Sequence, residues 1–498
     1  MPEVARTAQG RVSGVRDELG VLAFKGIPYA RPPLGDLRFR PAAPPEAWHG
    51  IRDGSRFGPI CPQPITPLEH FLGIAGEQMS EDCCHLNIWT PSLEGSRSVM
   101  VWFHGGLFLN GSGSVALYDG ARLAAKQDVV VVTCNYRLGA LGYTDLSSFG
   151  GSDYDGSGNA GLSDQIAVLR WVSENIGHFG GDPGSVCAFG ESAGAISIAS
   201  MFGSKAAKGL FARAILQSAA PVGTRSSRQA AGHAAELAGS AGLENTDVMA
   251  LTKLSVTQLL DAQTQLLAKA FPAFPFGPVI DQALIQSDPE AALGLGAFSG
   301  GELMVGANAQ EARLFNLVYP ELMQLAEGEN PAIKAEGLFG VAGDCPWESY
   351  RTTMENATDK ERWESCLTDG LFHLPAQRLL DAHASVGGRC FGYLFSWPSP
   401  AFGGALGAYH GLEVPFPFGN LHCPAASAMT GASPDATALA EHMSRAWGSF
   451  AKSGAPLGPD GVSWPPWDPP ERLAMEISGG WSLTPDPFGT ARQRWGHG

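Results

Sequence analysis

Short runs that are apolar on both faces constrain this chain most. They are Val99-Met100-Val101-Trp102-Phe103, Val129 through Thr133, Val186 through Phe189, and Leu303-Met304-Val305. A strand with one wet face alternates apolar and polar residues, so runs without alternation read as strands covered on both sides, as in a parallel sheet. Helical patterns lie between them. The clearest runs from Leu162 to Ile176, where Leu162, Ile166, Leu169, Val172 and Ile176 recur at three- and four-residue steps and make one apolar stripe. Alternation of this kind predicts an α/β fold with a central, mostly parallel sheet flanked by helices.

The chain has 498 residues, enough to bury a large core. No fixed-period repeat or low-complexity tract divides it, and its 64 glycines and 36 prolines are scattered through turns. We therefore expect a single domain over 1–498, with helix-like polar insertions near 226–267 and 327–360 lying over the active edge of the sheet. Trp464-Pro465-Pro466-Trp467 lacks the amides a helix needs and reads as a covering loop. The formal charge of −16 repels phosphate backbones and anionic membranes, which argues against nucleic acid or a membrane as partner. The first residues carry no basic leader and no apolar stretch, and no later run approaches the roughly 18 apolar residues of a membrane span, so a cytoplasmic location is expected. Nine cysteines leave at least one without an intramolecular partner. With no Cys-x-x-Cys and no His-x-x-x-His pair, neither a metal nor a cofactor is expected.

The string Gly190-Glu191-Ser192-Ala193-Gly194 fits Gly-x-Ser-x-Gly, but in so glycine-rich a chain it would arise by chance about 0.6 times. Its setting says more. Val186-Cys187-Ala188-Phe189 before it reads as a buried strand, and Ala195 through Met201 after it as a helix start. A serine on such a strand-to-helix turn is held above the sheet, with small neighbours permitting the tight backbone and the helix dipole favouring negative charge. Ser192 is therefore the candidate nucleophile.

His104-Gly105-Gly106-Leu107-Phe108 directly follows the strand Val99 to Phe103. A glycine-rich turn there can aim backbone amides at the oxyanion of an acyl-transfer intermediate, or it can be an ordinary turn. His104, next to it, reads as a structural hydrogen-bonding residue. Gly156-Ser157-Gly158-Asn159-Ala160-Gly161 matches a dinucleotide fingerprint but follows loop, not strand, and is set aside. The Asn110 and Asn356 sequons matter only on a secretory route.

These segments resemble the type-B carboxylesterases, a family that includes bacterial para-nitrobenzyl esterases and animal cholinesterases. The resemblance covers nearly the whole chain: Phe24-Lys25-Gly26-Ile27-Pro28-Tyr29-Ala30, Ser80-Glu81-Asp82-Cys83, Leu86-Asn87-Ile88-Trp89-Thr90-Pro91, Asn159 through Pro183, and the Ser192 turn. It implies the α/β-hydrolase fold and a Ser-His-Glu triad. It assigns Glu311, in Gly306-Ala307-Asn308-Ala309-Gln310-Glu311-Ala312, as the acid, although Gln310 and Ala312 replace the family's Asp and Gly; Asp281 is the nearest rival. It assigns His410, in His410-Gly411-Leu412-Glu413, as the base, and the amides of Gly106, Leu107 and Ala193 as the oxyanion hole. It aligns Cys61 and Cys83 with a pair that closes a loop in secreted relatives, and Cys345 with Cys366 could close another.

The expected function is hydrolysis of small-molecule carboxylic esters through an acyl-enzyme, by a monomer or weak homo-oligomer. Phe108, Phe274 and Phe276 are candidates to line an apolar pocket. The alternatives are a non-catalytic interaction protein on the same fold, or an amide, lactone or carbamate hydrolase using the same triad.

Overall fold

In this computed structural model the described residues are 3–496, apart from 221–223, 245–246, 271–273, 321–323, 327, 340–345 and 460–461. The expected apolar runs become the middle of a 13-stranded sheet. Seven of its strands are consecutive and parallel: Val130–Cys134, Arg97–Phe103, Gly181–Glu191, Arg213–Gln217, Glu302–Asn308, Cys390–Phe395 and Leu473–Ile477. Antiparallel strands extend both edges, with His85–Thr90 and Leu22–Pro28 on one side and Trp481–Pro485 on the other.

Side-chain alternation divides each central strand between two cores. Val99, Val101 and Phe103 point into one, while Met100 and Trp102 point into the other. Both faces are dry, so both sets must be apolar, which is why these runs lack the polar alternation of a half-wet strand. The first core is covered by the helices Ala160–Asn175 and Ala193–Phe202. The second is covered by Pro434–Ser453 and Ala121–Gln127.

The segments read as polar insertions carry the helices Ser227–Ser240 and Val256–Ala270, then Pro331–Phe339 and Trp347–Thr353. Trp464 and Trp467 are both buried, and the Trp464 indole donates to Gly392 O at 3.2 Å, so this proline-rich loop does cover the sheet. Among the described residues no helix is long and apolar enough to cross a membrane.

Candidate active site

Four loops leave the carboxyl ends of the parallel strands on the same side, where open α/β sheets hold ligands. The strand Gly181–Glu191 runs directly into Ser192, which adopts φ 54° and ψ −122° before the helix Ala193–Phe202 begins. A non-glycine residue in this region is strained and persists only where its surroundings enforce it. The enforcement is visible. The Ser192 amide donates to Gln217 O at 2.9 Å, and Ile196 N returns to Ser192 O at 2.8 Å. A Cβ on Gly194 would lie 1.9 Å from Phe103 O, and one on Gly190 would lie 2.8 Å from the same atom. Only glycine lets the helix start pass this close to the neighbouring strand.

The strand Arg97–Phe103 leads into the glycine-rich loop, where Gly106, Leu107 and Phe108 all have positive φ, at 110°, 56° and 61°. Leu109 N and Asn110 N both turn back to Gly106 O, at 2.9 and 3.0 Å. His104 holds this loop from below. Its ring stacks on Tyr136 at 4.4 Å, the Tyr136 hydroxyl donates to His104 O at 2.7 Å, and Nδ1 contacts Gly105 O at 2.8 Å. Burial pushes the imidazole down to about 4, against the Gly105 hydrogen bond, so it is neutral and structural, as the sequence suggested.

The third loop follows Glu302–Asn308. Glu311 is fully buried there and accepts three hydrogen bonds, from Ser218 Oγ at 2.6 Å, Asn308 N at 2.7 Å and His410 Nδ1 at 2.7 Å. The rival Asp281 is already engaged by Asn159 and by the amides of residues 283–285. The departures around Glu311 have a structural use. Gln310 clasps Ala408 in both directions, N to O at 2.9 Å and Oε1 from Ala408 N at 2.7 Å, tying the Glu311 loop to the His410 loop.

His410 lies between the Phe315 and Phe372 rings, at 4.7 and 4.9 Å. Its Nε2 is 3.0 Å from Glu191 Oε1, yet off the direction a hydrogen bond needs, so this buried nitrogen is left without a hydrogen-bond partner beside the Ser192 turn. Burial works to lower the imidazole, but Glu191 and Glu311 outweigh it and raise it well above the ordinary value. Glu413, buried below, accepts from Gln217 Nε2 at 3.0 Å and Asn308 Nδ2 at 2.6 Å. Burial first, then Glu191 and Glu311, push Glu413 up to about 7.

A small, mostly apolar pocket opens on Ser192. Leu107, Ala193, Phe108, Phe274 and Phe276 line it together with the serine, whereas Gly106 is not part of its lining. Phe315, Leu371, Phe372, Ile196 and Ala220 also line it, and the sequence did not single them out. Sequence reasoning also missed Glu191, Ser218 and Glu413 as polar partners. Glu191 and Glu413 sat inside motifs already quoted, whereas nothing local marked Ser218. Seven cysteines, Cys61 and Cys83 among them, are free buried thiols, and Cys345, the expected partner of Cys366, lies outside the described residues. No metal-holding cluster occurs among the described residues.

A parallel sheet with a serine on a strained strand-to-helix turn, and a histidine–carboxylate pair brought beside it from two later strands, defines the α/β-hydrolases. The comparisons narrow this further. The model of the carboxylesterase family matches residues 1–484, and the chain belongs to that family. It is 36% identical to the para-nitrobenzyl esterase of Bacillus subtilis (strain 168), over 99% of this chain and 98% of that one. It is 38% identical to the fumonisin B1 esterase of Sphingopyxis macrogoltabida, over 93% and 84%. Among solved structures, the Geobacillus stearothermophilus carboxylesterase EST55 superposes with TM-score 0.88 at 37% identity, covering 99% of both chains. The chain is thus a serine carboxylesterase, a carboxylic ester hydrolase acting on small-molecule esters.

Proposed function

We propose that Ser192, His410 and Glu311 form the triad and that the amides of Gly106, Leu107 and Ala193 form the oxyanion hole. The observation that carries this reading is His410 itself, with Nδ1 held 2.7 Å from Glu311 and Nε2 reaching the Ser192 turn, 3.0 Å from Glu191. His410 accepts the Ser192 proton as the hydroxyl attacks the ester carbonyl, and Glu311 fixes the tautomer and stabilises the imidazolium. The amides take up the charge that develops on the carbonyl oxygen. His410 protonates the leaving alcohol, and water then repeats the sequence on the acyl-enzyme. Ser192→Ala should lower kcat by about 10⁴- to 10⁶-fold with an unchanged circular dichroism spectrum; substantial residual esterase activity would refute the assignment.

The cavity favours esters with an apolar acyl or alcohol part, because its walls offer aliphatic and aromatic surface and few polar groups. Leu107 lines the pocket together with Ser192 and narrows the space beside the scissile carbon, so tertiary-alcohol esters should react poorly. Equal rates on tert-butyl acetate and ethyl acetate would rule this out. We place the enzyme in the cytoplasm, in keeping with the free Cys61 and Cys83 thiols.

A further inference from the structure

Behind the triad acid lies a histidine that ester hydrolysis does not touch. Residues Asp369–His373 form one π turn between the helices Asp359–Thr368 and Leu374–Ser385. Such single wide turns are uncommon and gather at functional sites. This one sets Phe372 against the His410 ring and into the cavity, while the next residue, His373, meets the end of the strand Glu302–Asn308.

The partners of His373 define its protonation. Nε2 is 2.9 Å from Asn308 O, a carbonyl that can only accept. Nδ1 is 3.1 Å from Asp369 Oδ1, and the Asp369 carboxylate already accepts from the Tyr350 hydroxyl at 2.7 Å and from Arg494 Nη1 at 3.3 Å. Two acceptors, one on each ring nitrogen, are both satisfied only if both nitrogens carry hydrogen. The ring is partly buried, with 11% of its side chain exposed, and packs on Phe488 at 5.2 Å, which limits replacement of either partner by water.

Asn308, at the other end of this contact, is a hub. Its amide donates to Glu311 Oε1 at 2.7 Å, and its Nδ2 donates to Tyr409 O at 2.7 Å and Glu413 Oε2 at 2.6 Å. One residue therefore touches the triad acid through its backbone amide and Tyr409, which precedes His410, through its side chain.

We propose that His373, as a doubly donating imidazolium, is a positioning residue that anchors Asn308 by its carbonyl and, through that residue's amide and side chain, the relation of Glu311 to the His410 loop. The proposal rests on the triad reading above. The charged and titratable groups around the ring are Asp369 on its own turn and Glu311 beyond the strand. Tyr350, from the helix Trp347–Thr353, and Arg494, from Gly489–Arg494, act through Asp369. Burial lowers the imidazole, but Asp369, the Asn308 carbonyl and Glu311 outweigh it and hold it above 6.5. A group raised in this way keeps its proton to higher pH than a free imidazole, and one of the two hydrogen bonds is lost as pH rises through the raised value.

Two substitutions separate positioning from packing. His373→Phe keeps a ring against Phe488 and removes both donors; kcat on para-nitrophenyl butyrate should fall about 10- to 100-fold, with KM changed by less than about threefold. His373→Gln presents an amide that can donate twice without titrating, and kcat should return to within about threefold of wild type. In the wild type kcat should fall as pH rises through the His373 titration, followed by the ring resonance that the Gln variant lacks, and in the Gln variant it should not fall there. Wild-type kcat in the Phe variant, or a His373 ring titrating at or below 6.5, would overturn the proposal. Failure of the triad reading shows separately, as an organophosphate that inactivates the wild type without labelling Ser192.

Discussion

His410 stands between two carboxylates that pull it the same way. Burial alone would lower its proton affinity, yet Glu191 and Glu311 raise it well above 6.5. Only the neutral imidazole can take the Ser192 proton, so kcat/KM on a neutral ester should rise as pH rises through that elevated value. Glu191→Gln removes one of the two charges and should move this acid limb to lower pH, while Glu311 still orients the ring. A pH profile of the variant superposable on the wild type would show that Glu191 does not set the base. Glu191 and Glu413 were present in the sequence as unremarked positions of quoted motifs. A motif states which residues recur and not what each one faces. Ser218 was illegible for a different reason: it reaches Glu311 from 93 positions away, across the tertiary fold.

At the scale of elements, the strand-to-helix turn is where sequence and structure agree most closely. The reason is steric: the 1.9 Å approach of a Gly194 Cβ to Phe103 O leaves no room for any other residue. Gly194→Ala should cost about 3 kcal/mol or more, read as a lowered Tm and loss of activity. Gly177→Ala, at a position where an added Cβ meets nothing within 4 Å, should stay within about 0.5 kcal/mol of wild type. Equal destabilisation by the two changes would contradict the packing argument. Boundaries were less legible. The strand Gly181–Glu191 begins five residues before the apolar run at Val186, because Pro183 and Gly184 are exposed and carry no apolar signal. The π turn at Asp369–His373 could not be read at all, since one extra residue per turn in a five-residue segment leaves the helical periodicity on either side intact.

At the scale of the whole molecule, the carboxyl end of the sheet gathers the loop at Gly106, the turn at Ser192, the loop at Glu311 and the loop at His410. The parallel sheet and its two cores followed from hydrophobic pattern alone. The grouping of these four loops did not, because no local rule brings positions 311 and 410 to position 192; the family resemblance supplied that link. Phe315, Leu371 and Phe372 in the pocket lining were missed because an aromatic in an amphipathic helix has the same pattern whether it faces core or substrate. The central claim is that one serine, poised by this assembly, carries the chemistry. Titrating the protein with a fluorophosphonate probe and mapping the adduct by mass spectrometry tests it most directly. A single adduct on Ser192 is expected, with esterase activity lost in proportion to labelling. An adduct on another residue that tracks the loss, or activity that survives stoichiometric labelling of Ser192, would contradict it.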